Sequence, residues 1–345
     1  MKRKLITQLI RILLCACILW WISTRMDLAS LREALSESAS NGHLILVGVA
    51  FTFLGLVAGV LRWYRMLIAH GFKIGFGKVF QILFIGQFFN AFMPGACGGD
   101  VIRAFYVTRE SEKGTRAETA TTAIADRLVG LLMLMFFCSA IIGIRLRFFL
   151  GHPETKIPGL IMLAFMICAL GGLFVFFKIN LFERIPLFRR MEERLRIGPV
   201  IRRAYDTLYD FRNRPGMIAE ACVYSLLNMI FLTLACMAFG ASLGIDIKPI
   251  DYFTFFPIIT VLSSIPITPG ALGIRESLFE RMFAVVYVAS TPAVLLSLLV
   301  YFGGVACSLF GGLMFIFYTT SAGKSVKEEW EALRDPKGQT ETNRA

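Results

Sequence analysis

The sequence predicts an all-α polytopic membrane protein, with about six full spans and two re-entrant Pro-Gly helical hairpins in an inverted repeat. Three observations carry this expectation. Of 345 residues, 56% are apolar and only 17% charged, and the mean hydropathy is +0.67; so little polar surface cannot coat a water-soluble globule of this size. The apolar residues form uninterrupted runs and do not alternate with polar ones, which selects helices over a closed barrel as the way to pair backbone groups in hydrocarbon. Two more apolar segments are too short or too interrupted to span, and each runs into Pro-Gly.

Lys2, Arg3 and Lys4 precede an apolar run, and Trp20, Trp21 and Arg25 stand where a cleaved leader would carry small residues. An uncleaved first span over about 5–23 is therefore expected. Leu28, Leu31 and Leu35 at helical spacing, with Ser30 three residues before Glu33, suggest a short surface helix over 27–42. Further runs of bilayer length lie at about 43–61, 120–143, 158–177, 217–240 and 293–318. The stretch from Lys178 to Pro215 carries ten Lys or Arg against five acids, which places the basic loop 178–216 in the cytoplasm by the positive-inside rule. Counting spans from that loop puts both termini inside, including the polar tail 321–345, and locates the chain in the bacterial cytoplasmic (inner) membrane. Arg62 and Arg65, around Trp63 and Tyr64, then mark the cytoplasmic interface. Arg145, Arg147 and Lys156 fall outside, against the charge rule.

The short segments belong to two hairpins, at about 78–108 and 252–280. Pro94, Gly95, Ala96 and Gly98 precede Arg103; Pro269, Gly270, Ala271 and Gly273 precede Arg275. Gly99 extends the first motif. Proline stops a helix and glycine lets the backbone reverse or approach a ligand closely. Proline kinks in ordinary spans are the alternative. The order span, span, hairpin, span recurs in residues 1–150 and 151–320. Three full crossings per half invert the second half relative to the first, and broken segments at matching places in inverted halves point to a transporter-type site.

Three pairs of charges accompany these motifs: Asp100 with Arg103, Asp126 with Arg127, and Arg275 with Glu276. Ionisable groups at membrane depth face one another or a cavity. Arginine's planar fork suits phosphate oxygens, and with Asn90 on the entering arm these seven residues are the candidate contacts for a lipid headgroup. Structural ion pairs locking hairpin to bundle are the alternative. The net charge of +12 accompanies apolar runs, so anionic lipid explains it and nucleic acid does not. The three histidines are scattered and the eight cysteines lie in or beside apolar segments, so no metal site, disulfide framework or cofactor is expected.

The stretches FFNAFMPGACGGDVIRAF, AIADRLVGLL and TPGALGIRESLF resemble the lysylphosphatidylglycerol synthase transmembrane-region family, also called flippase-like, over roughly residues 10–320. The resemblance implies movement of a lipid between leaflets. It maps Pro94, Gly95, Gly98, Gly99, Asp100 and Arg103 onto the family's PG-x-x-G-G-D-x-x-R stretch, Asp126 and Arg127 onto its Glu-Arg, and Gly270, Gly273, Arg275 and Glu276 onto its second motif. The soluble transferase domain fused to some relatives has no counterpart here, so lysyl transfer is not expected. The leading expectation is a lipid or glycolipid translocase with a central cavity between the hairpins and with anionic or phosphate-bearing lipids as partners. The alternatives are an intramembrane lipid-modifying transferase using Asp100, Asp126 or Glu276 as base, and a membrane subunit docking an envelope biosynthesis enzyme through Arg189 to Arg203.

Overall fold

A computed structural model describes residues 40–92, 98–111, 116–178, 209, 213–264 and 273–321. The expected first span, the surface helix over 27–39, most of the basic loop, the tail beyond Ser321, and Pro94, Gly95, Pro269 and Gly270 lie outside the described residues. The described residues contain helices and no strand. In chain order these are α1 (Gly42–Ala69), α2 (Phe76–Phe92), α3 (Gly98–Glu110), α4 (Arg116–Ile144), α5 (Leu146–Gly151), α6 (Pro153–Lys178), α7 (Pro215–Ser242), α8 (Pro249–Ser263), α9 (Ile274–Ala284) and α10 (Ser290–Ser321).

Five helices, α1, α4, α6, α7 and α10, are long and apolar enough to cross a membrane. They coincide with the five later runs read from the sequence and extend beyond each. Large apolar side chains point outward along them, among them Ile144 at 77%, Ile167 at 71% and Phe317 at 70% exposure. Such exposure over whole helices is untenable in water and ordinary against lipid. The chain is an integral multi-pass membrane protein.

The two segments that are too short to span fold back on themselves. Asn90 at the end of α2 accepts the Gly99 N–H at 2.8 Å, Gly86 lies against Arg103, and Lys78 pairs with Glu110 at 3.6 Å. These contacts run antiparallel over about 18 Å and fold the two arms into a hairpin, and arm α2, with 17 residues, is about 25 Å long at 1.5 Å per residue, short of the ~30 Å hydrocarbon core. In the second hairpin, Tyr252 and Phe255 of α8 pack on Phe283 of α9, and Phe256 packs on Phe279.

α1 and α7 form the central contact, and it too is antiparallel. Gly48 faces Phe239, Gly55 faces Leu232, Arg62 reaches Ser225 and Arg65 reaches Glu220. Every other pairing among the eight helices of the two repeats has its counterpart when α1 is exchanged with α7, α2 with α8, α3 with α9 and α4 with α10. For example, hairpin arm α2 lies on α10 and arm α8 lies on α4. The first hairpin therefore opens at the end where α6 and α7 meet the basic loop, and the second opens at the opposite end. Both central helices also stop alike. Gly71 (φ 83°) and Gly244 (φ 69°) take the left-handed conformation, and the following Phe72 and Ile245 donate to Leu67 and Gly240 carbonyls at 3.1 and 3.0 Å, closing Schellman-type caps.

The site is positioned by glycines that allow backbones to touch. A side chain on Gly99 would collide with the Gly86 carbonyl, and one on Gly311 of α10 with the Phe84 carbonyl of α2. These contacts press the first hairpin between α10 and the α1–α4–α7 face.

Candidate functional site

Where the first hairpin meets that face, three helices deliver charge to one buried cluster and a fourth adds a hydroxyl. Asp126 of α4 accepts from Arg62 Nε of α1 at 2.7 Å and faces Arg103 Nη2 of α3 at 3.3 Å. Arg103 Nη1 also reaches Asp100 at 3.2 Å, and Asp100 takes Arg127 Nε at 2.5 Å. Arg62 donates a further bond to Ser225 Oγ of α7 at 3.0 Å, while Ser225 donates to the Ala221 carbonyl at 2.8 Å. The Arg103 guanidinium lies 4.1 Å from the centre of the fully buried Trp63 ring. Asp126, Arg103 and Arg62 keep side-chain exposures of 5, 7 and 12%, whereas Arg127 keeps 46%, so Arg127 forms the cluster's open edge.

Among the described residues, the cluster gathers three guanidinium groups around two carboxylates. It lies within the membrane-spanning length, about 10 Å in from the Ala69 end of α1 and about 15 Å in from the Arg116 end of α4 at 1.5 Å per residue. Gathering cationic groups there is costly, and an anion is the group that would relieve it. Gly130, one turn beyond Asp126, makes room: a side chain on it would stand 2.8 Å from Arg62 Nη1.

The second motif builds a different cluster. Gly273, at φ 87°, precedes α9, and its N–H is accepted by the Glu276 carboxylate at 2.5 Å. Arg275 binds Glu276 at 2.9 Å and Ser297 Oγ of α10 at 3.0 Å, and its guanidinium sits 4.9 Å from the centre of the Tyr301 ring. Ser297 in turn donates to Glu276 at 3.0 Å. These four residues carry no net charge. Farther toward the same end, Arg145 pairs with Asp251 at 2.5 Å, donates to Thr254 at 2.8 Å and covers Phe148 at 4.1 Å. This buried pair fastens α4 to the mouth of the second hairpin. At the mouth of the first hairpin, Tyr318 of α10 donates to Glu110 beside Lys78.

The structure thus joins Asp100, Arg103, Asp126 and Arg127, and joins Arg275 to Glu276, but it keeps the two sets apart. Along α10 the first hairpin is in register with Gly311 and the Arg275 cluster with Ser297, about 20 Å apart at 1.5 Å per residue. Among the described residues the two charge sets form separate half-sites at different depths, because the hairpins enter from opposite ends; the Pro-Gly tips on which a shared central cavity was expected lie outside the described residues. A wide recess of about 720 Å³ lies elsewhere, between Phe88 of α2 and Leu309, Phe310 and Leu313 of α10. Its walls are apolar and suit hydrocarbon.

Asn90 closes the hairpin through its carbonyl oxygen, a structural role. Arg62 and Trp63 do not mark the interface: α1 continues through them to Ala69, burying Trp63 and leaving the Arg62 side chain only 12% exposed. Only Arg65, paired with Glu220 at 2.5 Å and 46% exposed, sits as an interfacial residue would. Trp63, Arg62, Gly86, Gly130, Ser225, Ser297, Tyr301 and Asp251 are site or locking residues that sequence reasoning leaves out. The available signal was the helical recurrence of Val60, Trp63 and Leu67, which carries the apolar face of α1 past Arg62 to the Gly71 stop.

The chain is similar to the UPF0104 membrane protein PH1989 of Pyrococcus horikoshii, 22% identical over 86% of this chain and 91% of that one. It is also similar to a UPF0104 membrane protein of Methanothermobacter thermautotrophicus, 26% identical over 72% and 77% of the two chains. The model of the lysylphosphatidylglycerol synthase TM region matches residues 8–311, which include both hairpins and all three charged motifs, and the chain belongs to that family.

Proposed function

We propose that this protein moves a phosphate-bearing lipid or glycolipid between the leaflets of the cytoplasmic membrane. The observation that carries the reading is the arginine-rich cluster at membrane depth on a hairpin that does not span. Arg62, Arg103 and Arg127 offer planar donors matched to phosphate oxygens, and the antiparallel repeat supplies a second half-site, around Arg275, accessible from the other end. Inverted halves of this kind support alternating exposure by rocking one half on the other. With the ten-cation loop inside, the Arg103 half-site faces the cytoplasmic leaflet, the Arg275 half-site faces the outer one, and both termini are cytoplasmic.

Reconstitution into liposomes with labelled anionic lipids tests this directly. The expected result is leaflet exchange above that of empty vesicles, reduced about tenfold or more by Arg127→Gln, because this open-edge arginine meets the headgroup first. The melting midpoint of that variant should move little, since half-exposed ion pairs contribute roughly 0–1 kcal/mol. Exchange equal to that of empty vesicles across a broad lipid panel would refute the transport reading.

A further inference from the structure

Two buried N–H donors in the first half-site, Trp63 Nε1 and Arg103 Nε, have no hydrogen-bond acceptor among the described residues. They belong to one stack, the guanidinium over the indole at 4.1 Å, and both side chains are more than nine-tenths buried. Buried donors are otherwise almost always paired, because leaving one unmade forfeits its hydration without return. Tryptophan and arginine can only donate, so a missing partner at this stack must accept, which rules out an ammonium or another cation. The three guanidinium groups gathered around the stack favour an anion as that acceptor.

The surroundings say how such an anion is carried. Beside the open Arg127 edge, Val101 of α3 and Ile124 and Leu128 of α4 are exposed at 65, 53 and 45%, an apolar border on which hydrocarbon would lie. We propose that Trp63 Nε1 and Arg103 Nε are the donor pair for a phosphate oxygen of an anionic lipid, whose chains run over Val101, Ile124 and Leu128. Trp63 thereby becomes a headgroup-binding residue. The proposal rests on reading this cluster as the headgroup site; it does not require that transport occurs.

The test uses the full chain in detergent micelles, titrated with dioctanoyl phosphatidylglycerol, with dioctanoylglycerol, and with inorganic phosphate. Trp63→Phe keeps an aromatic ring under Arg103 and removes the N–H together with the part of the buried indole that carries it. The expected result is that phosphatidylglycerol binds wild type and dioctanoylglycerol does not, that Trp63→Phe weakens binding about tenfold, as loss of one charge-assisted hydrogen bond predicts, and that the variant still melts cooperatively without lipid, at a lower midpoint because a fully buried indole is trimmed. Inorganic phosphate bound with the same Trp63 dependence and equal affinity would support the donor pair and overturn the lipid as its source. Unchanged phosphatidylglycerol affinity in Trp63→Phe would overturn the pair. Should the variant fail to fold, the ¹⁵N-indole spectrum of wild type, with its four tryptophans, decides: one N–H resonance must shift downfield on adding phosphatidylglycerol, and none shifting overturns the pair. Leaflet exchange separates the two ideas. Exchange by wild type with normal binding by Trp63→Phe leaves transport standing and the pair refuted, whereas weakened binding without any exchange does the reverse.

Discussion

Asp126 holds the first half-site together because one carboxylate serves two arginines from different helices, Arg62 through Oδ1 and Arg103 through Oδ2. Replacing it with alanine leaves two guanidinium groups without their shared counter-charge in a buried setting, and the loss of one partner from a buried ion pair costs about 3–5 kcal/mol. Asp126→Ala should therefore lower the melting midpoint in micelles markedly, while Arg127→Gln should not. Equal midpoints for the two variants would mean that the cluster is open to water throughout. Asp251→Ala carries the same expectation at the mouth of the second hairpin, where Asp251 answers Arg145. The contrast between the adjacent Asp126 and Arg127 follows from burial and from the two arginines that Asp126 serves.

At the scale of elements, the hairpins depend on backbone contact. Gly99 and Gly86 let α3 lie directly on α2, and Gly311 lets α2 lie on α10. Here the atoms that would resist a new methyl group are carbonyl oxygens, which cannot rotate away. Gly99→Ala and Gly311→Ala are expected to reduce the yield of folded protein sharply, as judged by monodisperse recovery from the membrane. Gly71→Ala is the comparison: its left-handed backbone penalises a side chain by roughly 1–2 kcal/mol, but no atom lies within 4 Å of the added carbon. A small drop in midpoint with normal recovery is expected there. If Gly71→Ala proved the more damaging, the cap would outweigh the hairpin contact. The Gly-apolar-charge-Ile pattern at 71–74 and 244–247 is readable in the chain, yet four residues carry no weight until both ends are seen to fold alike.

For the whole molecule, the antiparallel α1–α7 contact and the exchanged pairings of the other helices set the two ends of the protein against each other. Lys73 follows α1 at the basic-loop end, and Lys156 lies near the start of α6 at the other. In a background without the native cysteines, Lys73→Cys and Lys156→Cys should be labelled by an impermeant thiol reagent from opposite sides, Lys73→Cys from the cytoplasm. Labelling of both from one side would contradict the inverted arrangement. The mouths of the hairpins are tied at opposite ends, by Arg145 with Asp251 and by Tyr318 with Glu110. These ties hold each hairpin to the third long helix of the other repeat.

The sequence by itself determined the membrane class, the five described spans, the two interrupted segments and the pairing of neighbours such as Asp100 with Arg103. All of these depend on local composition or on spacing within one or two helical turns. Only the tertiary structure decided that Arg62 is a buried partner of Asp126, that Trp63 underlies Arg103, and that Arg103 and Arg275 occupy separate half-sites. A span that ends at Arg62 and one that buries Arg62 look alike in sequence, because a charge at membrane depth is tolerable only when another helix brings its counter-charge. That counter-charge stands 64 residues away at Asp126, and it reaches Arg62 only after the first hairpin has been folded and α4 has returned along α1. The same reason separates the half-sites: repeated motifs announce a symmetry, but the depth at which each one stops depends on how far its hairpin penetrates against α10.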